Sequence, residues 1–293
     1  MKSKSPSDEI MISNYISQCA QLAMLLEVSA SPKPGNIDRD HDFEDTTYEH
    51  FLASTIGVYP IFEKASKTDR GLGKFIAEAT KESTKWQSGG NTHFGAFLLL
   101  IPLIMAAGCS KSYEEMRENA NRIIRKTTTE DAIEFYRAFE NVKVRVKDVD
   151  GLDVYDKSSL ERIERENLTF YDIIKISAEY DTISKELIYG FEKSFECVRV
   201  IIDKAKTMSL NDAIVYTYLW ILSRNPDYFI EVKFGKKKAN EVSRKALELI
   251  ESWDIEKIRD YDDHLIKEGV NPGSTADLIV SSLFLAFLGG LRP

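Results

Sequence analysis

Cysteine is scarce in this chain of 293 residues, and long apolar runs are missing. The three cysteines, Cys19, Cys109 and Cys197, lie far apart without metal-ligand spacing, so we expect reduced thiols, no disulfide and no zinc site. The most apolar runs, 94–107 and 278–291, are shorter than the roughly 20 residues that span a bilayer. Since the N-terminus also lacks the apolar core of a signal peptide, we expect a cytoplasmic protein that is not embedded in a membrane.

An excess of basic residues is also missing. Lys and Arg number 39 against 47 Asp and Glu, which gives a net charge of -8. This balance disfavours a general affinity for nucleic acid or for anionic membranes, although a local site for a small anion remains compatible with it. No repeat or Pro/Ser-rich linker divides the chain, so we expect a single domain over 1–293.

Helical periodicity runs through almost the whole sequence and predicts an all-α fold of roughly ten or more helices. Only 142–156 alternates like a strand, and we interpret it as a short hairpin-like insertion. Thr127 with Glu130, and Ser274 with Asp277, have the spacing of capping boxes. The predicted helices cover about 7–30, 47–67, 71–85, 92–107, 112–126, 129–142, 169–205 in one or two pieces, 209–223, 235–252 and 275–289.

The stretch "EVSASPKPGNIDR", 27–39, follows the first predicted helix. Glu27 falls on the apolar side of that helix, so its carboxylate should either meet a partner in the interior or reach solvent from the last turn. Two prolines then stiffen the chain and Gly35 permits close backbone approach. Lys33, Asp38 and Arg39 therefore sit on a rigid loop, which fits either a binding site or a well-fixed turn with solvated charges.

Two further helix starts carry polar residues. In "GGNTHFGAFLL", 89–99, Thr92 and His93 open an apolar helix whose N-terminus could cradle phosphate, or could simply be capped in the core. In "NPGSTADLIVSSLFL", 271–285, Ser274 can cap the helix that carries Asp277. A polyphosphate held where these helix ends converge would account for all three segments.

The three segments, in this order, resemble the triphosphoribosyl-dephospho-CoA synthase family. The weaker matches "TTTEDAIEFYRAF", "AEYDTISKELIYGF" and "RNPDYFIEVKFG" extend the resemblance over nearly the whole chain. The resemblance implies transfer of the 5-triphosphoribosyl group of ATP to the 2′-hydroxyl of 3′-dephospho-CoA, with release of adenine. Such a reaction is substitution at an anomeric carbon: the hydroxyl needs a base and the leaving group needs a proton.

The resemblance gives these residues roles around ATP and Mg²⁺. Glu27, Asp38 and Asp277 are candidates for Mg²⁺ coordination or for the catalytic base, and the two assignments stay open. Asp131 and Asp181 occupy positions of acids in the family-like segments and are candidates for the same metal site. The candidate nucleotide contacts are Lys33, Gly35, Arg39, Thr92, His93, Lys233 and Ser274.

Departures from the family pattern concern the acceptor. The segment after Arg39 is compressed and acidic, Tyr228 stands where a threonine is expected after Asp227, and 142–156 lacks the usual glycines. We therefore expect the acceptor to be 3′-dephospho-CoA or, in a divergent branch, another alcohol or a pterin-like acceptor. Two alternatives remain: a Mg²⁺-dependent N-ribosyl hydrolase of the ADP-ribosyl type, and a helical protein that binds ATP without turnover. The apolar C-terminal helix would suit a homodimer or a buried central helix.

Overall fold

A computed structural model of the chain describes residues 6–142 and 152–293. Within these ranges the chain forms sixteen α-helices and no strand, which confirms the all-α prediction. The helices are α1 (Pro6–Ser29), α2 (Tyr48–Gly57), α3 (Tyr59–Ala65), α4 (Leu72–Thr84), α5 (Phe94–Gly108), α6 (Tyr113–Arg125), α7 (Thr129–Ala138), α8 (Lys157–Glu166), α9 (Phe170–Ser177), α10 (Thr182–Tyr189), α11 (Glu192–Lys204), α12 (Leu210–Arg224), α13 (Tyr228–Phe234), α14 (Lys236–Ser252), α15 (Ile255–Glu268) and α16 (Gly273–Leu288).

Several helices differ from the prediction. Helices α8, α13 and α15 were not predicted, because α8 and α15 are highly charged and α13 is only seven residues long. The predicted helix over 169–205 is three helices rather than one or two, since Gly190 adopts a left-handed φ of 77° and the chain turns before Asp181. Most of the hairpin-like segment lies outside the described residues, and 152–156 leads into α8 without forming a strand.

Both predicted capping boxes are wrong: the first is shifted by one residue, and the second is not formed. The observed box that starts α7 joins Thr128 to Asp131, one residue beyond the predicted pair. Helix α16 already begins at Gly273, so Ser274 lies inside its first turn and its hydroxyl caps nothing. The side chain of Asp277 is consequently free to reach another helix.

The two most apolar helices, α5 and α16, form the centre of the molecule. They pack against each other, and α16 also contacts α1, α11 and α12. One continuous cluster of buried apolar side chains extends from Ile16 on α1 to Phe287 on α16. Because α5 and α16 are buried along most of their length, their polar first turns are brought to the same region of the interior.

No single helix of the described part of the chain is long and apolar enough to cross a membrane. Helices α5 and α6 reach that length and composition only as a pair, and they are bent by 118° relative to each other. Cys19, Cys109 and Cys197 are free thiols.

Candidate active site

A polar cleft joins the three segments that the sequence singled out. Helix α1 contributes Glu27, the segment before α5 contributes Thr92 and His93, and α16 contributes Asp277. The full lining is Glu27, Asn36, Ile37, Phe51, Asn91, Thr92, His93, Gly95, Phe229, Asn271, Gly273, Ala276, Asp277 and Val280. The cleft therefore lies where the N-termini of α5 and α16 meet the C-terminal end of α1, as the polyphosphate hypothesis requires.

Glu27 and Lys33 form a buried ion pair at the bottom of this cleft. The Nζ atom of Lys33 donates to Oε1 of Glu27 at 2.5 Å, and their side chains are 0% and 2% exposed. Burial raises the pKa of Glu27, while the charge of Lys33 opposes that rise. Of the two orientations that the sequence left open for Glu27, the inward one is observed. Lys33 itself does not line the cleft, so it would act on a ligand through Glu27 and through its charge.

Beyond Lys33, the loop residues Asn36 and Ile37 line the cleft, whereas the candidates Gly35, Asp38 and Arg39 do not. Asp38 is fully buried and accepts hydrogen bonds from the backbone N–H groups of Lys33, Asp40 and His41. The N–H of Gly35 donates to Asp262 on α15 at 2.9 Å, so this amide is not directed at a ligand in the cleft. Arg39 is exposed, and its guanidinium donates to the side-chain oxygen of Asn211.

His93 lines the cleft and has one unpartnered ring nitrogen. The hydroxyl of Ser54 donates to the carbonyl of Phe51 at 3.0 Å, so it accepts the Nδ1–H of His93 at 2.6 Å. Nε2 then carries a lone pair, and this buried atom has no hydrogen-bond partner. Burial, together with the charge of Lys33, lowers the pKa of His93 to about 3. The imidazole is thus a neutral acceptor.

Asp277 sits over the first turn of α5, where Gly95 leaves room for it. A Cβ atom at Gly95 would lie 2.0 Å from the Oδ2 atom of Asp277. Burial raises the pKa of Asp277 well above its usual range, and the carboxylates of Glu27, Asp227 and Asp181 raise it further. A backbone hydrogen bond from Ala96 has the opposite effect. The carboxyl group of Asp277 therefore occupies the N-terminus of α5.

An aromatic chamber continues from the polar cleft. The two cavities share Asn91, Gly95 and Phe229. Asp181 lines the chamber and caps α10 by accepting from the N–H and hydroxyl of Ser184. Burial raises its pKa. The aromatic side chains of the chamber are Phe94, Phe135, Tyr136, Phe139, Tyr180, Tyr228 and Phe229.

Comparisons of the sequence and the fold with known proteins identify the family of this chain. The ATP:dephospho-CoA triphosphoribosyl transferase family matches residues 13–292. The chain belongs to this family. A protein of Streptococcus equi subsp. zooepidemicus described as a 2-(5''-triphosphoribosyl)-3'-dephosphocoenzyme-A synthase is 26% identical, covering 93% of this chain and 96% of the relative. A synthase of the same description from Klebsiella pneumoniae is also 26% identical, over 92% and 90% of the two chains.

A solved structure agrees with this assignment. The crystal structure from Archaeoglobus fulgidus, described as a triphosphoribosyl-dephospho-CoA synthase, superimposes with a TM-score of 0.68 at 30% identity, covering 82% of this chain and 100% of that one. The family resemblance seen in the sequence is confirmed, and with it the prediction that the protein is an enzyme of the transferase class. The hydrolase and the binding-only alternatives are not favoured.

Besides Lys33, Gly35, Asp38 and Arg39, three further candidate residues line neither the cleft nor the chamber. Asp131 belongs to the capping box of α7 and accepts from the N–H of Gly73. Lys233 is exposed, and its Nζ donates to the carbonyl of Gly269 at 2.9 Å. Ser274 is 1% exposed, and its hydroxyl has no partner. Asp131 and Lys233 form hydrogen bonds to backbone groups, and Ser274 is buried in the first turn of α16. None of the three lines the cleft.

Residues that the sequence did not single out also make polar contacts at or near the cleft. Asn36 donates to the side-chain oxygen of Asn271 at 3.1 Å, which joins the first and third segments across the cleft. Asp227 caps α13 and accepts from the N–H and hydroxyl of Thr275, both at 2.8 Å. Burial raises the pKa of Asp227 to about 6. An asparagine after a proline-glycine turn resembles an ordinary loop residue, so only the fold reveals these contacts.

Proposed function

We propose that the polar cleft binds the triphosphate and ribose of ATP, and that the adjoining aromatic chamber binds the adenine. The reaction breaks the bond between adenine and the anomeric carbon, and forms a bond from that carbon to the 2′-hydroxyl of 3′-dephospho-CoA. The observation that carries the proposal is the junction at Gly95, where the polar and aromatic cavities meet beside Asp277.

The charge of the cleft favours a metal-bound triphosphate. Among the described residues, its lining includes the carboxylates Glu27 and Asp277 and three asparagines, but no Lys or Arg. Carboxylate and amide oxygens are suitable ligands for Mg²⁺. Glu27 is already paired with Lys33, which makes Asp277 the first candidate to hold the ion. When bound, Mg²⁺ would neutralise the triphosphate and so let it lie between acidic side chains.

His93 is our candidate for the base that activates the acceptor hydroxyl. His93 lines the cleft and its Nε2 atom has a free lone pair, which would accept the hydroxyl proton as the new C–O bond forms. A negative triphosphate nearby would raise the pKa of His93 from its low value toward the range useful for a base. Ser54 would hold the ring in the required tautomer.

Asp181 is our candidate for the acid that protonates the departing adenine. It lines the aromatic chamber, and burial raises its pKa, so a larger fraction of the carboxyl is protonated near neutral pH. A positioned acid or base contributes on the order of 10²–10⁴ in rate. The cytoplasmic location, the homodimer and the single-domain partition remain expectations from the sequence.

Product analysis by mass spectrometry tests this function. The purified protein is incubated with Mg²⁺ and ATP, with and without 3′-dephospho-CoA. We expect adenine and a triphosphoribosylated dephospho-CoA in equal amounts, and only with the acceptor present. Adenine without the adduct would contradict this acceptor and support hydrolysis, whereas intact ATP in every sample would contradict the proposed reaction. His93→Gln should lose most of the adduct, and His264→Gln, at an exposed position, serves as the matched control.

A further inference from the structure

A second cluster of chemically active side chains lies behind the cleft. It joins Asp38 and His41, on the loop after α1, to Asp262 on α15. One potential ligand atom from each residue lies within 4.8 Å of the other two. The two aspartates are 0% exposed and His41 is 20% exposed. None of the three lines the cleft, so the proposed transfer reaction does not use them directly.

The atoms of this cluster are close but not hydrogen-bonded to one another. The Nδ1 atom of His41 is 3.1 Å from Oδ2 of Asp262 and 3.9 Å from Oδ1 of Asp38. Neither Nδ1 of His41 nor Oδ2 of Asp262 has a hydrogen-bond partner, although both atoms are buried. On the other side of the ring, Nε2 lies 2.7 Å from Oδ1 of Asp263, to which it can donate.

Neither charge state of the histidine satisfies these atoms. If His41 is neutral and donates from Nε2 to Asp263, the lone pair of Nδ1 faces the carboxylate oxygens of Asp38 and Asp262. If His41 is protonated, its second N–H forms an ion pair with Oδ2 of Asp262 at 3.1 Å, but no hydrogen bond in line accompanies it, which is costly for buried atoms. A cation between the three ligand atoms would satisfy all of them, because ligand atoms about 2.0–2.2 Å from one ion can lie about 3 Å apart.

We propose that Asp38, His41 and Asp262 bind one divalent transition-metal ion, with Asp263 holding the imidazole in its ligating tautomer. One imidazole nitrogen with two carboxylates suits ions such as Zn²⁺, whereas Mg²⁺ prefers oxygen ligands alone. The hydrogen bond from a ligating histidine to an outer carboxylate is the usual arrangement in metal sites. The unpartnered, fully buried Oδ2 of Asp262 is the atom that most directly indicates a missing ligand.

The ion would fix the loop that forms one side of the cleft. Asp38 also accepts from the backbone of Lys33, and Asp262 accepts from the backbone of Gly35. Joining these two carboxylates through a metal would anchor the loop to α15. Asn36, the next residue of the loop, lines the cleft. The site is therefore structural, and its occupancy would stabilise the folded protein and position the cleft.

Titration with Zn²⁺ alone tests this site independently of the transferase reaction. Chelator-treated full-length protein is titrated calorimetrically at mildly alkaline pH without nucleotide. We expect one ion per chain, with affinity at least ten-fold weaker in His41→Gln and in Asp262→Asn. Asp263→Asn should weaken binding about 10–100-fold, as expected for an outer partner. His264→Gln, on the exposed face of the same helix, should bind as the wild type does.

Asp277→Asn distinguishes this site from the cleft. Its binding of Zn²⁺ should be unchanged, and a loss would place the ion in the cleft and overturn the proposal. Absence of binding in the wild type, or wild-type binding in His41→Gln, would overturn it equally. Should Asp262→Asn fail to fold, the absorption spectrum of the Co²⁺-loaded wild type keeps the test decisive: bands of a nitrogen-ligated ion that vanish in His41→Gln support the site, and their persistence contradicts it.

Discussion

The ion pair between Lys33 and Glu27 places two opposite charges in the interior, directly below the cleft. Lys33 is completely buried, and Asn36 is its other polar neighbour, at 3.5 Å from Nζ. Removing two charges from water costs several kcal/mol per ion, which their mutual attraction must offset. Such a pair adds little net stability, but the loss of one partner leaves a charge that is costly to keep. The pair therefore fixes the loop relative to α1.

Replacement of one partner should consequently destabilise the protein more than replacement of both. We expect Lys33→Met to lower the free energy of unfolding by about 3 kcal/mol, because Glu27 remains buried without its cation. The double variant Glu27→Gln/Lys33→Met should recover a large part of this loss. Urea unfolding of the wild type, Glu27→Gln, Lys33→Met and the double variant measures the coupling between the two side chains. Equal stabilities of Lys33→Met and the double variant would contradict this coupling.

His93 should give the stability a specific dependence on pH. Its pKa falls to about 3 in the folded protein, whereas an unfolded histidine titrates near ~6.5. The unfolded state therefore binds a proton first as the pH falls, and the stability provided by the neutral imidazole is lost between those two values. From pH 7 to pH 5 this group alone should remove about 2 kcal/mol from the free energy of unfolding.

Urea unfolding at the two pH values, compared between the wild type and His93→Gln, isolates this contribution. The variant should lose about 2 kcal/mol less than the wild type does on acidification. Equal losses would mean that His93 accepts a proton in the folded state and that its Nε2 atom is not a free acceptor.

At the scale of elements, the first turns of α5 and α16 form the cleft together. The side chain of Asp277 extends from α16 to the start of α5. Asp227, the N-cap of α13, accepts from the N–H of Thr275 at the start of α16. Each helix N-terminus thus receives a carboxylate from another element, which suits the positive end of a helix. The convergence depends on Gly95, because a side chain there would meet Asp277.

Gly95→Ala tests this element contact. The new Cβ would lie 2.0 Å from the present position of the Asp277 carboxylate, so that side chain must turn away. Alanine favours a helix over glycine by up to about 1 kcal/mol, and we therefore expect a folded protein of similar thermal stability. The rate of adenine release should fall as far as in Asp277→Asn, and full activity in Gly95→Ala would contradict the role of Asp277.

The sequence allows some of these elements to be predicted and not others. The apolar helices α5 and α16 contain the two most apolar runs of the sequence, and the periodicity of α1 places Glu27 on its apolar side. The charged helices α8 and α15 have few apolar residues, although Ile255, Ile258 and Leu265 of α15 do recur at helical spacing. Asp262 lies more than 220 residues after Asp38 along the chain, so only the packing of α15 against the loop reveals that they meet. Ser274 and Asp277 show the limit of local patterns, because they have the spacing of a capping box although Ser274 caps nothing and Asp277 contacts the first turn of α5.

For the whole molecule, the proposed function requires an acidic chain with a net charge of -8 to bind a substrate that is itself strongly anionic. Among the described residues, the cleft carries carboxylates and amides, and one buried lysine and two helix N-termini lie beside it. An ion bound with the triphosphate can then be attracted by the acids that would otherwise repel the nucleotide. Binding of ATP should accordingly depend on the divalent ion rather than on exposed lysines or arginines.

The position of the nucleotide is the most direct test of this account. We would determine the crystal structure of the protein with Mn²⁺ and ATP in the absence of any acceptor. The account predicts triphosphate density in the cleft between Glu27 and Asp277, an anomalous Mn²⁺ peak beside Asp277, and adenine in the chamber next to Phe229. A nucleotide bound elsewhere, or a triphosphate held mainly by lysine and arginine side chains, would contradict it.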